Sequence, residues 1–146
     1  MSLDVLFNKL LDFGVQSFPT SRVVENKGTL AREGLFDYRA LTTLRYSAFG
    51  ADVAVTWRRL PSIRNESYVT DSLTPFAGAA SYDLFNLSAG WNINPFVRVV
   101  AGVDNLFDRE PNRVGAGPNN NGAGNTEPSI YDVLGRRYYG SVRLSF

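Results

Sequence analysis

Residues 82 to 92 read Tyr82-Asp-Leu-Phe-Asn-Leu-Ser-Ala-Gly-Trp-Asn92, and the alternation inside this stretch decides the fold. Phe85, Leu87, Ala89 and Trp91 occupy every second position, with Asn86, Ser88, Gly90 and Asn92 between them. Successive side chains of a strand point to opposite faces, so a period of two predicts a strand with one apolar and one polar face. After the break Ile93-Asn94-Pro95, residues 96 to 107 repeat the pattern, with Val97, Val99, Ala101 and Val103 on one face and Arg98, Gly102 and Asp104 on the other. The two segments predict a hairpin with a tight turn.

The same design appears on both sides. Residues 38 to 48 set Thr42, Leu44 and Tyr46 against Arg39, Thr43, Arg45 and Ser47. After Phe49-Gly50, residues 51 to 57 set Val53, Val55 and Trp57 against Asp52, Ala54 and Thr56. Residues 138 to 146 alternate Tyr138, Gly140, Val142, Leu144 and Phe146 with Tyr139, Ser141, Arg143 and Ser145. The first 37 residues are less regular: Asp12 to Phe18 fits a further strand with a long loop after it, while Leu3, Phe7, Leu10 and Leu11 also fit helical spacing. The chain therefore divides into 1–37, a poorly defined strand and loop, and 38–146, a run of regular strands.

The connections alternate in length. Gly50 and Asn94-Pro95 mark tight turns, whereas residues 60 to 81 and 108 to 137 form long links, the second containing Gly115-Ala-Gly-Pro-Asn-Asn-Asn-Gly-Ala-Gly-Asn125. Compact soluble domains seldom carry structureless loops above ~12–15 residues. Here the long links all fall at one end, the layout of a transmembrane β-barrel. The expected fold is all-β: an antiparallel meander of five to six long strands, the C-terminal part of such a barrel.

Composition narrows the chemistry. The 146 residues include no Cys and no His, which excludes disulfides, thiolate or imidazole metal sites, nucleophilic cysteine and a Ser-His-Asp triad within the chain. Only carboxylates remain for catalysis and no paired-acid spacing stands out, so no enzyme, cofactor or metal is expected. Asp104, Asp108 and Glu110 read as turn-capping residues. A net charge of +1 with dispersed arginines gives no nucleic-acid footprint. No apolar run reaches the ~18 residues of a spanning helix. The opening MSLDVLFNKLLDFG lacks a basic leader and a cleavage site, so the expectation is a chain that stays in the cell or is a piece of a longer one.

Magnitudes separate a membrane barrel from a soluble sandwich. A strand of about ten residues, rising ~3.3 Å each and tilted ~45°, covers roughly the ~25 Å apolar band of an outer membrane. Soluble strands more often stop at ~5–6 residues. The aromatics fall at strand ends, Tyr46, Phe49, Trp91, Phe96 and Phe146 toward one boundary and Tyr38, Trp57, Tyr82, Phe107 and Tyr138 toward the other, as two interfacial girdles would. Arg39, Arg45, Arg98 and Arg143, read as near mid-strand, and Asp104 suit a water-filled lumen; turned toward lipid, each arginine deep in the bilayer would cost about 2–4 kcal/mol. Single-chain bacterial barrels begin at about 8 strands. Five strands and a sixth candidate cannot close, and an open edge in hydrocarbon costs several kcal/mol per unsatisfied group.

Three stretches carry a family resemblance: Ala101-Gly-Val-Asp-Asn-Leu-Phe-Asp108, Tyr131-Asp-Val-Leu-Gly-Arg-Arg-Tyr-Tyr139 and Ser141-Val-Arg-Leu-Ser-Phe146. In this order they resemble the end of TonB-dependent outer-membrane receptors, and residues 82 to 91 resemble the strand before it. The resemblance covers residues 38 to 146. It implies a barrel of about 22 strands with an N-terminal plug, importing a scarce ligand such as a siderophore, cobalamin or a sugar. It implies that Tyr138, Gly140, Val142, Leu144 and Phe146 form a C-terminal assembly signal read by the barrel-assembly machinery. The implied partners are the lipid of the Gram-negative outer membrane, the remaining strands and plug of a full receptor, and TonB only through an N-terminal part not present here. Two rivals remain: a small self-contained outer-membrane protein that closes its barrel across chains, and a soluble β-sheet binding or structural protein.

Overall fold

The link Ala48-Phe49-Gly50-Ala51 reverses the chain with two consecutive left-handed residues, Phe49 at φ 52° and Gly50 at φ 78°. Two such residues in a two-residue loop give the turn whose twist matches that of flanking strands. In the computed structural model, which describes residues 1–30, 34–65, 78–114 and 126–146, this turn joins β4 (Tyr38–Ala48) to β5 (Ala51–Leu60). A second tight turn at Pro95-Phe96 joins β8 (Tyr82–Asn94) to β9 (Val97–Asp104), where Asn94 Oδ1 accepts the Phe96 N–H at 2.8 Å. A bulge between Asn92 and Asn94 precedes it.

With β1 (Ser2–Lys9) and β10 (Arg137–Leu144), these strands form one six-stranded antiparallel sheet in the order β1-β4-β5-β8-β9-β10. No helix occurs among the described residues. The expected all-β meander is therefore the observed architecture. β4 matches its expected span, β5 and β8 run two or three residues past theirs, and β9 stops at Asp104 instead of Phe107 because Asn105 turns to left-handed backbone.

The amino-terminal expectation is corrected. The strand that joins the sheet is Ser2–Lys9, paired residue for residue with β4 from Ser2↔Arg45 to Lys9↔Tyr38, not Asp12 to Phe18. Pairing satisfies the backbone groups along the free side of β4, a requirement that local sequence pattern does not display. Within Asp12 to Phe18 only β2 (Gly14–Val15) is extended, and it pairs with β3 (Val24–Glu25). Glu25 accepts the backbone N–H groups of Lys27 and Phe13, which hold its carboxyl below the ordinary value.

Register aligns the faces across the sheet. Leu3, Leu44, Val55, Leu87, Val103 and Tyr138 form one continuous row, and Tyr46, Val53, Ala89, Ala101 and Gly140 form the next. Large residues along this apolar face remain bare, for example Trp91 at 57% and Val142 at 65% exposure. No second layer of described residues covers it. The buried side chains gather instead at the loop end, on the polar side of the sheet: Phe36, Leu60, Ile63, Tyr82, Ile130 and Tyr131 among them. The links β1–β4, β5–β8 and β9–β10 all leave from this end, and the second carries β6 (Ile63–Arg64) paired with β7 (Gly78–Ala79).

Candidate functional site

Tyr82 organises the loop end, and its position corrects the girdle expectation. Parity from Asn86 and Ser88 places Tyr82 on the polar face, opposite Leu60 and not in step with Phe85. It is 0% exposed and meets the Tyr131 ring edge-on at 5.1 Å, with the Arg109 guanidinium 5.8 Å from its own ring. The alternation around Phe85 contained this signal, because Tyr82 is an odd number of residues from Phe85. Burial pushes the Tyr131 phenol up from its ordinary value. Its hydroxyl makes no hydrogen bond of normal geometry among the described residues, though the Asn112 side chain lies close enough to oppose part of that shift.

The other aromatics expected in girdles lie on the apolar face or at its ends. Toward the loop end, Trp57 stacks on Phe85 at 6.1 Å and Phe85 meets Phe107 edge-on at 5.4 Å. The Trp57 indole N–H donates to Asp83 at 2.8 Å, and Asp83 also pairs with Arg59. Tyr46, Trp91 and Phe96 are exposed toward the turn end.

The Asn105-Leu-Phe-Asp108 stretch of the family resemblance is a structural clamp. Asn105 and Asp108 both take left-handed backbone, φ 53° and 54°, and the Asp108 N–H donates to the Asn105 carbonyl at 2.9 Å. The Asn105 side chain, 1% exposed, accepts the Arg109 N–H at 2.7 Å and donates to the Arg109 carbonyl at 3.0 Å. Asn86 Oδ1 accepts the Asn105 N–H at 2.9 Å. Asp108 in turn accepts the backbone N–H of Arg136 at 2.9 Å, which ties the approach to β10 onto the end of β9. Arg137 completes the junction, paired with Asp132 at 3.0 Å and Asp104 at 3.7 Å. The acidic residues here fasten a turn.

Arg39, Arg45, Arg98, Asp104 and Arg143 all project from the polar face. Their depth differs from the sequence expectation: Arg39 and Arg98 are each the second residue of a strand, Arg143 the next to last of β10, and Arg45 alone lies well inside one. Strand ends cannot be read from alternation, which runs on through the turns. Arg98 reaches across β8 to Asp52 and donates to Asn92 at 2.9 Å. Arg45 and Arg143 have no ion-pair partner among the described residues.

A cavity of about 280 Å³ opens on the polar side near the loop end, between β1, β4, β5 and the segment Ser129-Ile130. Phe36, Leu41, Leu60 and Ile130 supply apolar walls, and Arg39 and Arg58 are its charged groups. Arg39 donates to the Gly34 carbonyl at 2.8 Å and lies 5.3 Å from the Phe36 ring. Sequence reasoning missed this cavity, since the leucines of the polar face break its alternation only at the loop end.

Long antiparallel strands, a bare apolar face and long links at one end define the class: a segment of β-barrel wall. Among solved structures, the chain is similar to the ferric enterobactin receptor PfeA (G324V mutant) of Pseudomonas aeruginosa, with a TM-score of 0.56 and 21% identity. The match covers 85% of this chain and 19% of that one, so the chain spans about a fifth of the receptor's length. No family model and no curated protein matches the chain.

Proposed function

We propose that the chain is the C-terminal part of the barrel wall of a TonB-dependent receptor in the Gram-negative outer membrane, serving uptake of a scarce ligand of the siderophore, cobalamin or sugar class. One observation carries this reading: register brings the apolar positions of six strands onto one uncovered face. In water such a face would be an aggregation surface far larger than the few hundred Å² that monomers expose. Against acyl chains it is the expected wall. The likeness in fold to a ferric enterobactin receptor supports the same reading.

In this arrangement Arg39, Arg45, Arg98, Asp104 and Arg143 face the lumen. Tyr46, Trp57, Trp91 and Phe107 sit at the two interfaces, and the loop end points outward. The free sides of β1 and β10 pair with the remaining barrel strands, since unpaired backbone is excluded from hydrocarbon. Tyr138, Gly140, Val142, Leu144 and Phe146 offer the assembly machinery an edge to pair with. Energy coupling belongs to a plug and TonB contact supplied by a longer receptor, and the segment has no catalytic role.

Paired substitutions test this reading. Leu87→Arg on the apolar face should abolish recovery from the outer-membrane fraction, whereas Ser88→Arg, one residue along on the polar face, should leave it near wild type. Equal recovery of the two variants, or a monodisperse soluble monomer without detergent, would refute the membrane assignment.

A further inference from the structure

We propose that the cavity beneath Ile130 is a binding site for a small organic anion, a carboxylate carried on a compact apolar body. The inference deepens the barrel-wall reading, on which it rests for the cavity to open toward the lumen. Its volume, about 280 Å³, lies at the lower edge of the ~300–1,000 Å³ typical of ligand pockets. Two guanidinium groups, Arg39 and Arg58, stand over apolar walls of Phe36, Leu41, Leu60 and Ile130, and its described lining contains no carboxylate.

Arg58 supplies the independent sign of a missing partner. Its Nε is buried with no hydrogen-bond partner among the described residues, and its Nη2 has only a long 3.4 Å contact to the Ile130 carbonyl. A guanidinium offers a planar fork that carboxylates fill with two hydrogen bonds, and because Nε has no accessible surface, the Nη1–Nη2 edge is the one left to a ligand. Among the described acids, Asp83 pairs with Arg59 on the opposite face, and Asp132 pairs with Arg137. Phe36, Leu60 and Ile130 are themselves almost fully buried, so the walls are held by the loop core and the site is preformed. A neutral ligand would leave Arg58 unsatisfied, and an anion without an apolar body would leave the walls wet.

The chain's isoleucines, Ile63, Ile93 and Ile130, provide a direct readout by methyl NMR of the full chain folded in dodecyl maltoside. Benzoate should shift the Ile130 methyl saturably and leave Ile93, at the turn end, unmoved. Benzamide lacks the charge and acetate lacks the apolar body, and each should bind at least tenfold more weakly than benzoate. Arg58→Gln should weaken benzoate at least tenfold, with Arg39→Gln as the second variant if the first does not fold. An Ile130 methyl unmoved by benzoate, an equal shift at Ile93, equal affinity for benzamide, or full affinity in the folded variants would each overturn the proposal. Recovery of the chain from the outer membrane without benzoate binding would reject the site and keep the barrel-wall reading. Benzoate binding by a chain that does not enter membranes would reject that reading and keep the site.

Discussion

At Asn105 one side chain performs three tasks: it tolerates left-handed backbone, accepts from the Arg109 N–H and donates to the Arg109 carbonyl. Asn105→Ala removes the bonds and retains the strained backbone, so a loss of about 1–3 kcal/mol is expected in urea titrations of the detergent-folded chain. Asn105→Gly should lose less, since glycine adopts that conformation freely. Tyr131 presents the opposite case. Its hydroxyl is buried with the Asn112 side chain beside it and no hydrogen bond of normal geometry among the described residues, so Tyr131→Phe should change stability by less than about 1 kcal/mol. Because burial raises the phenol's pKa on folding, its contribution is complete below the unfolded value of about 10 and is lost as pH rises through the higher folded value. A tyrosinate absorbance titration should show a smaller late step in Tyr131→Phe than in the wild type. Close approach also has a residue-scale signature: a Cβ on Gly102 would lie 2.3 Å from Tyr139 Cζ, which explains why glycine stands opposite that ring.

Among the elements, β4, β5, β8, β9 and β10 were legible because each alternates over a span longer than chance apolar runs. β1 was not: Leu3, Val5, Leu6 and Phe7 include an adjacent pair that interrupts the period, and only pairing with β4 shows that Leu6 belongs to the polar face. Asp12 to Phe18 misled for the same reason, a short apolar run that fits several elements. β10 carries its own expectation. Removing Phe146 should reduce membrane assembly, read as a smaller heat-modifiable band at equal expression; an unchanged band would refute an assembly role. Val142→Arg, in register with Val99 and Trp91 near the turn-end interface, should be more damaging than Ser141→Arg by only about 0–1 kcal/mol.

Over the whole molecule, two environments coexist, a sheet whose apolar face is bare and a loop end with a packed core. The core draws on residues far apart in the chain, Phe36, Leu60, Tyr82, Val114 and Ile130, so it stiffens the long links where they meet the strands. Ile130→Ala should cost about 2–4 kcal/mol locally. Limited trypsin digestion should then cut faster at Arg109, Arg113 and Arg136, while the strands stay protected. Uniformly faster digestion would mean that loop core and sheet unfold as one unit. The cavity site belongs to this scale, because Arg39, Arg58 and Ile130 come from three parts of the chain and no local pattern links them.

By itself, the sequence determined which stretches form β4, β5, β8, β9 and β10, which of their faces is apolar and where the tight turns fall, because side-chain alternation and turn chemistry are local. It also carried the turn and terminal-strand likeness, whose Asn105–Arg109 bonds join near neighbours in sequence, while Asn86 and Arg136 reach the clamp from distant positions. Only the tertiary structure decided which strand borders β4, on which side Tyr82 is buried, and that Arg39 and Arg58 share one cavity. Those facts depend on register and loop packing, contacts between residues distant along the chain, and a local period is indifferent to its neighbours.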